Sequence, residues 1–145
     1  MKVNIKKLDE RAKLPTYGTE YSAGADLYAL TDTEIEIPPH TTALISTGIA
    51  IEIPEGYCGL IFARSGLATK HGLAPANKVG VIDADYRGEL KVALHNHTDA
   101  PAAVGAYERV AQLAIVPFLK AEFNEVTDLS DTTRGAGGFG STGRS

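Results

Sequence analysis

The stretch Gly80-Val81-Ile82-Asp83-Ala84-Asp85-Tyr86-Arg87-Gly88-Glu89-Leu90 lies between two apolar runs and carries a turn. The run before the turn is rich in β-branched residues and ends at Ile82, as a strand would. The run after it, residues 90–94, alternates large apolar residues with Lys91 and Ala93, which is the period of a half-buried strand. The pattern therefore predicts two strands joined as an antiparallel hairpin.

The turn contains reactive and aromatic side chains that its backbone conformation does not require. Aspartate and glycine suit a turn, but a tyrosine and an arginine are not needed for that purpose. A carboxylate held at the end of a strand, such as Asp83, can bind a water molecule and take its proton. Tyr86 can pack flat against a ring of a ligand. An acidic hairpin tip in solvent is an equally good interpretation of this stretch alone.

Short β-branched runs separated by glycine and proline recur along the chain, at a spacing typical of an all-β sandwich or barrel. One helix is predicted, Ser65–His71, with Gly72 placed to end it. Residues 15–18 are expected to form a turn or loop. The strands are expected near residues 3–6, 26–29, 35–37, 44–45, 49–53, 57–62, 109–117 and 121–126.

Composition indicates a single domain able to bury a core, with 145 residues of which 43% are hydrophobic. The formal net charge of −4 argues against general nucleic-acid binding, which needs a basic face. No apolar run is long enough to span a bilayer. Residues 1–7 contain no apolar segment of a signal peptide, and Cys58, the single cysteine, is expected to be a buried structural thiol. These features predict a cytoplasmic protein.

The chain changes character at Thr127, which divides it into a β-rich core of residues 1–126 and a C-terminal arm of residues 127–145. The glycine spacing from Gly135 to Gly140 matches a dinucleotide fingerprint, but no βαβ unit surrounds it. The glycine backbone, with Arg134, Ser141 and Thr142, instead suits a polyphosphate. The lone Phe139 suits stacking on a base. The alternative is a disordered low-complexity tail.

Two further groups carry weaker signals. Ser65 is a good helix N-cap beside Arg64, a combination that can attract anions, but this stretch alone favours an ordinary cap with a surface arginine. His95 and His97 share one side of a strand and could hold a metal, but no acidic or cysteine partner is close in sequence. They are interpreted as surface or core residues.

The sequence resembles the trimeric dUTP diphosphatase (dUTPase) family, and the resemblance covers nearly the whole chain. Five stretches, occurring in the family's order and spacing, carry it: Ala23-Gly24-Ala25-Asp26-Leu27, Arg64-Ser65-Gly66-Leu67-Ala68, Gly80-Val81-Ile82-Asp83-Ala84-Asp85-Tyr86-Arg87-Gly88, Glu108-Arg109-Val110-Ala111-Gln112-Leu113, and Arg134-Gly135-Ala136-Gly137-Gly138-Phe139-Gly140-Ser141-Thr142-Gly143.

The resemblance implies a jelly-roll-like β-barrel or sandwich of the β-clip type, assembled as a homotrimer with three active sites between subunits. The flexible C-terminal arm of one chain would close over a site built largely by others. The implied reaction is dUTP + H2O → dUMP + diphosphate, with Mg²⁺ bound mainly by the triphosphate. It would keep uracil out of DNA and supply dUMP for thymidylate synthesis.

The resemblance also implies roles for residues in and near the predicted hairpin. Asp83 would deprotonate the water that attacks the α-phosphorus. Tyr86 would pack under the deoxyribose, where a 2′-hydroxyl would clash. Uracil would be recognised by an amide and by main-chain groups, from Asn77, Val81, Ile82 and Lys91.

Phosphate binding is implied for residues of the other stretches. Those of the core are Arg64, Ser65, Gly66 and Gln112; those of the arm are Arg134, Gly140, Ser141 and Thr142, with Phe139 stacking on uracil. Asp26 would either join the metal-water shell or hold an arginine, and Arg109 and Asp85 would be ion-pair partners in the scaffold. The chain departs from the family at Ala63, where proline is common, and at Tyr107, where glycine is common.

Two rival functions remain at this stage. A dCTP deaminase resembles this fold but needs a glutamate directed at cytosine after the hairpin, a position where Glu89 stands among residues of the diphosphatase pattern. A non-catalytic β-sandwich binding module would leave Asp83, Tyr86 and the Phe139 arm without a purpose.

Overall fold

The computed structural model describes residues 1–138 and shows a mostly β chain with one short helix, which confirms the predicted fold class. The helix is α1 (Ser65–His71). The strands are β1 (Asn4–Lys7), β2 (Thr16–Tyr17), β3 (Ala25–Tyr28), β4 (Ile35–Ile37), β5 (Thr42–Ser46), β6 (Ile49–Glu52), β7 (Tyr57–Phe62), β8 (Leu73–Pro75), β9 (Gly80–Ile82), β10 (Lys91–Asn96), β11 (Ala102–Val104) and β12 (Arg109–Pro117).

The strands form four antiparallel sheets, and within residues 1–138 none of them closes into a barrel. The largest has the order β2-β3-β12-β7-β9, and a three-stranded sheet has the order β5-β10-β8. The pairs β1-β6 and β4-β11 complete the set. The open sheets leave β9 at an edge of the largest sheet, where one side of its backbone has no neighbouring strand among the described residues.

The sheets enclose one core, which follows from the alternation of apolar residues along the strands. In β10, Val92 and Leu94 point inward and are fully buried, while Lys91 is exposed. The next inward position is Asn96, whose amide donates to the carbonyl oxygens of Ile37 at 2.9 Å and Ala100 at 2.8 Å. The buried polar group is therefore satisfied, as a core position requires.

The predicted hairpin between β9 and β10 is wrong. Strand β9 pairs with β7, whereas β10 pairs with β5 on one side and β8 on the other. A strand has only two edges, and both edges of β10 are occupied. The intervening residues 83–90 therefore form a loop that passes from one sheet to the other, and Leu90 N–H donates to the Ile49 carbonyl at 2.8 Å.

The strand predicted at residues 121–126 is also wrong, because these residues form neither strand nor helix. Phe123 is 95% exposed and Leu119 is 98% exposed, so among residues 1–138 nothing covers these side chains. Conversely, Thr16–Tyr17 form the short strand β2 where a turn or loop was expected. The division of the chain into a β-rich core of residues 1–126 and a C-terminal arm of residues 127–145 stays a prediction.

The helix prediction is confirmed at both ends, but its cap differs. Gly72 ends α1 in the left-handed conformation, with φ of 64°. The N-cap is Arg64 rather than Ser65, and the Arg64 side chain makes no capping hydrogen bond. Cys58 is only partly buried, contrary to expectation. No helix within residues 1–138 combines the length and apolar character that a membrane crossing requires.

Candidate active site

A cleft of about 350 Å³ lies beside the loop of residues 83–90. It brings together five of the residues expected to bind substrate or catalyse the reaction, and two that the sequence did not single out for this site. The five are Val81, Ile82, Asp83, Tyr86 and Lys91; the two are Leu44 and Glu89. Leu44 comes from β5 of the other sheet, and only the folded chain places it here.

Asp83 directly follows β9, so the strand holds its backbone while its side chain remains exposed to solvent. The turn after it is closed by Tyr86 N–H, which donates to the Asp83 carbonyl at 3.1 Å. Arg87 supports the same turn through Nη1, which donates to the Ala84 carbonyl at 2.6 Å and the Tyr86 carbonyl at 3.0 Å. A carboxylate at a braced strand end and open to water is suited to general-base chemistry.

Tyr86 forms one wall of the cleft and is 43% exposed. Its hydroxyl donates to the Glu89 carbonyl at 3.0 Å. The phenol is therefore tied to its own loop at the hydroxyl end, while the ring remains available to a flat ligand.

Glu89, which the rival deaminase function would need, has both carboxylate oxygens engaged. Oε1 accepts from Gly48 N–H at 2.9 Å, and Oε2 lies 3.3 Å from Lys91 Nζ. The side chain is 22% exposed. A glutamate bound in this way is a structural anchor rather than an acid directed at a base.

Asn77 lies before β9, at the opposite end of that strand from Asp83. Its backbone forms a tight turn in which Lys78 has φ of 64° and Val79 N–H donates to the Asn77 carbonyl at 2.7 Å. The amide nitrogen lies close to Gly80, 3.3 Å from where a β-carbon would be. The amide therefore faces the backbone of the edge strand.

A second group of expected residues is centred on Asp26, which is 5% exposed. Oδ1 lies 2.8 Å from Arg64 Nε, and Oδ2 lies 3.2 Å from Arg109 Nη1. Of the two roles left open for Asp26, holding an arginine is the one seen in this chain. Arg109 is an ion-pair partner as expected, whereas Asp85 has no ion pair among the described residues.

Gln112 lies directly opposite Asp26 in β3 and Phe62 in β7, so these three side chains share a face of the largest sheet. Gly24 lets Gln112 approach closely, since a β-carbon there would lie 3.1 Å from the Gln112 β-carbon. Arg64 and Gly66 line a different cleft of about 510 Å³, which shares no lining residue with the cleft at Asp83.

The Asp83 cleft and the Asp26 ion pairs lie at opposite ends of the paired strands β7 and β9. Ile82 is opposite Gly59, so Asp83 lies beside the start of β7, while Arg64 follows its end. About six residues separate these levels, or roughly 20 Å at ~3.3 Å per residue. One chain therefore does not bring Asp83 and Arg64 together.

The arm is described only as far as Gly138. Arg134 is exposed, and its Nε donates to the Gly137 carbonyl at 2.8 Å in a local turn. The predictions for Phe139, Gly140, Ser141 and Thr142 lie outside the described residues.

Within residues 1–138, no group of three or more histidine, cysteine, aspartate or glutamate side chains could hold a metal ion. His95 and His97 lie with ring centroids 4.5 Å apart, and His95 Nδ1 shares a hydrogen bond with Thr42 Oγ1. The pKa of His97 is lowered mainly by partial desolvation and, to a smaller extent, by the charges of Lys78 and the neighbouring histidines. The interpretation of this pair as surface or core residues is compatible with these contacts, since His95 is half-buried and His97 is exposed.

Comparisons with known proteins agree with the geometry. The family model described as dUTPase matches residues 10–143. The chain is 51% identical to the deoxyuridine 5′-triphosphate nucleotidohydrolase of Nautilia profundicola, covering 99% of this chain and 100% of that protein. It is 49% identical to the enzyme of the same name from Burkholderia mallei, covering 99% of each.

Solved structures give the same result. The dUTPase of Staphylococcus bacteriophage 80alpha with dUPNHPP superimposes with a TM-score of 0.91 at 30% identity, covering 99% of each chain. The dUTPase of phage phi11 of S. aureus superimposes with a TM-score of 0.82 at 25% identity, covering 91% of this chain and 100% of that one. These matches span the fold and both groups of site residues, and the chain belongs to the dUTPase family of enzymes.

Proposed function

We propose that this enzyme hydrolyses dUTP to dUMP and diphosphate by attack of a water molecule on the α-phosphorus. The observation that carries the proposal is the cleft at residues 81–91, where Asp83, Tyr86 and Lys91 meet at the end of an edge strand. Asp83 accepts the proton of the attacking water, a contribution of about 10²–10⁴-fold for a positioned base.

Recognition of uracil is assigned to Asn77 and to the backbone of Val81, Ile82 and Lys91. Strand β9 supports this assignment because one of its edges has no neighbouring strand in the described chain. Its free N–H and C=O groups can pair with the imide edge of uracil, which offers a donor between two acceptors. Tyr86 packs against the deoxyribose and excludes a 2′-hydroxyl.

Phosphate binding is assigned to Arg64, Ser65, Gly66 and Gln112. Since Arg64 lies roughly 20 Å along the strands from Asp83, we assign these residues to a site that uses Asp83 of another subunit. A homotrimer with shared sites meets that requirement. The arm, with Arg134, Phe139, Gly140, Ser141 and Thr142, closes over a site of a neighbouring subunit.

The proposal includes Mg²⁺, which when bound neutralises triphosphate charge and favours the leaving diphosphate. The donor set fits a metal held mainly by the substrate, because residues 1–138 contain no cluster of metal ligands and Mg²⁺ commonly binds through phosphates and water. Asp26 remains the candidate for a contact through water, although both its oxygens already accept from arginines.

In the cell, this reaction would keep uracil out of DNA and supply dUMP for thymidylate synthesis. We place the enzyme in the cytoplasm, because a single cysteine fits a reducing compartment. The substrate is a free nucleotide, and the net charge of −4 does not favour binding to a nucleic acid.

The decisive experiment is diphosphate release from dUTP with Mg²⁺, measured beside UTP, dTTP and dCTP, together with ammonia release from dCTP. We expect rapid release from dUTP alone. Release from all four nucleotides would contradict the assigned recognition of uracil and deoxyribose. Ammonia from dCTP would favour the deaminase, and a folded protein with no turnover would favour the binding module.

A further inference from the structure

The ring of Tyr86 lies against Gly88, two residues later in the same loop. A β-carbon at Gly88 would lie 2.6 Å from Tyr86 Cζ and 2.9 Å from Cε2. No real β-carbon tolerates such contacts, so the ring occupies this position only because residue 88 has no side chain. By contrast, a β-carbon at Gly18 would meet nothing closer than Ser22 Oγ at 3.7 Å.

The hydroxyl end of Tyr86 is held by the residue after Gly88. Its O–H donates to the Glu89 carbonyl at 3.0 Å. The hydroxyl end of the ring thus lies against Gly88 and is fixed by the Glu89 carbonyl, while 43% of the residue remains exposed. This is the arrangement that a contact wall for a ligand needs.

Glu89 is itself tied to the core. Its Oε1 accepts from Gly48 N–H at 2.9 Å. Gly48 is buried, has φ of 70°, and leaves no room for a side chain, since a β-carbon there would lie 2.9 Å from that of Ala12. The next residue adds a second bond between Leu90 N–H and the Ile49 carbonyl at 2.8 Å. These two bonds therefore fix the position of the Tyr86 ring relative to the turn between β5 and β6.

We propose that Gly88 and Glu89 are positioning residues that hold Tyr86 and so determine how strongly the enzyme prefers dUTP over UTP. The inference rests on the proposed function, which puts Tyr86 against the sugar. Rejecting a single hydroxyl requires the wall to stay within a fraction of an ångström, and a 1 Å misplacement costs about 10²-fold in well-positioned sites. Neither residue is assigned a contact with substrate in the proposed function, and both are inferred to act through Tyr86.

The experiment measures the ratio of kcat/KM for dUTP to that for UTP, alongside the melting temperature, in the full-length protein. Gly88→Ala displaces the ring, and the ratio is expected to fall by about 10²-fold. Gly18→Ala is the matched control and keeps the wild-type ratio, because its new methyl group meets only ordinary contacts.

Glu89 provides an independent pair of variants. Glu89→Ala removes the acceptor for Gly48 N–H, and the ratio is expected to fall by about 10-fold. Glu89→Gln keeps an acceptor oxygen for Gly48 N–H and loses only the ion pair with Lys91. Because the Lys91 side chain is 42% exposed, this loss is small, and the ratio is expected to stay within about 2-fold of wild type. Should Gly88→Ala fail to fold, this pair still decides the question.

The outcomes separate the inference from the proposed function. Wild-type turnover of dUTP with unchanged ratios in Gly88→Ala and Glu89→Ala would overturn the inference and leave the function intact, even if both variants melted earlier. If the wild-type enzyme turned over dUTP and UTP equally well, Tyr86 would not discriminate between the two sugars, and the inference would be overturned. A wild-type protein without dUTP turnover would instead remove the proposed function itself.

Discussion

The cleft at Asp83 and the ion pairs at Asp26 belong to the same proposed site, yet the chain builds them by opposite means. In the cleft, exposed side chains stand on a loop in which Tyr86 N–H donates to the Asp83 carbonyl and the Tyr86 hydroxyl donates to the Glu89 carbonyl. At Asp26, a carboxylate that is 5% exposed holds Arg64 and Arg109 by charge.

The difference indicates which changes each region tolerates. A change at an exposed side chain of the cleft, such as Asp83, removes chemistry but leaves the fold, because that side chain contributes little burial. A change at Asp26 leaves two arginines without their counterion and therefore affects stability as well as binding. Four predictions test this contrast.

The largest effect is expected at Asp83. Asp83→Asn keeps the size of the side chain and removes its basicity, so turnover of dUTP should fall by about 10²–10⁴-fold. Substrate binding and melting temperature should stay near wild type. The control is Asp85→Asn, since Asp85 is exposed and has no ion pair among residues 1–138. Retained turnover in Asp83→Asn would exclude it as the base.

The second prediction concerns the distance between the two regions. Asp83→Asn and Arg64→Ala chains, each poorly active alone, should regain activity when refolded together as mixed trimers. If Asp83 and Arg64 serve one site from different chains, random 1:1 mixing leaves about a quarter of sites intact. Diphosphate release at or near that fraction is expected. No recovery in demonstrably mixed trimers would mean that both residues act from the same chain.

The third prediction concerns the stability of the ion-pair region. Asp26→Asn leaves Arg64 and Arg109 without a full counterion, and the free energy of unfolding should fall by about 2 kcal/mol. KM for dUTP should rise more than kcat falls, because Arg64 loses its anchor. Urea titration and steady-state kinetics measure both. Asp9→Asn breaks a surface pair with Arg11 and should unfold like wild type. If Asp26→Asn and Asp9→Asn had the same free energy of unfolding, burial of the Asp26 ion pairs would not explain their contribution to stability.

The smallest effect is expected at Tyr107, beside Arg109. Tyr107 has φ of 64°, which glycine adopts without strain, but its ring lies 4.6 Å from Lys13 Nζ. Relief of strain and loss of this cation–π contact nearly cancel, so Tyr107→Gly should change stability by less than about 0.5 kcal/mol. Tyr107→Ala keeps the strain and loses the ring, and should be less stable. Equal stability of these variants would contradict the strain argument.

The local sequence pattern predicted where helices and strands lie better than it predicted which strands pair with each other. The helix Ser65–His71, its end at Gly72 and the strand Arg109–Pro117 follow from local spacing and were all confirmed. The hairpin at residues 80–94 failed, because alternation identifies a strand and one buried face but not which neighbour occupies each edge. The strand predicted at residues 121–126 failed for the related reason that no strand in the described part of the chain, residues 1–138, pairs with them.

The site divides in the same way. The types of residue at Asp83, Tyr86 and Arg64 are compatible with a base, an aromatic wall and a phosphate-binding cation, and the resemblance to the dUTPase family assigned those roles to them. Their arrangement depended on the tertiary structure. Only the fold brings Leu44 and the Glu89–Gly48 bond to the cleft and separates Asp83 from Arg64. Distances between residues far apart in sequence are set by packing and strand pairing, which no local pattern contains.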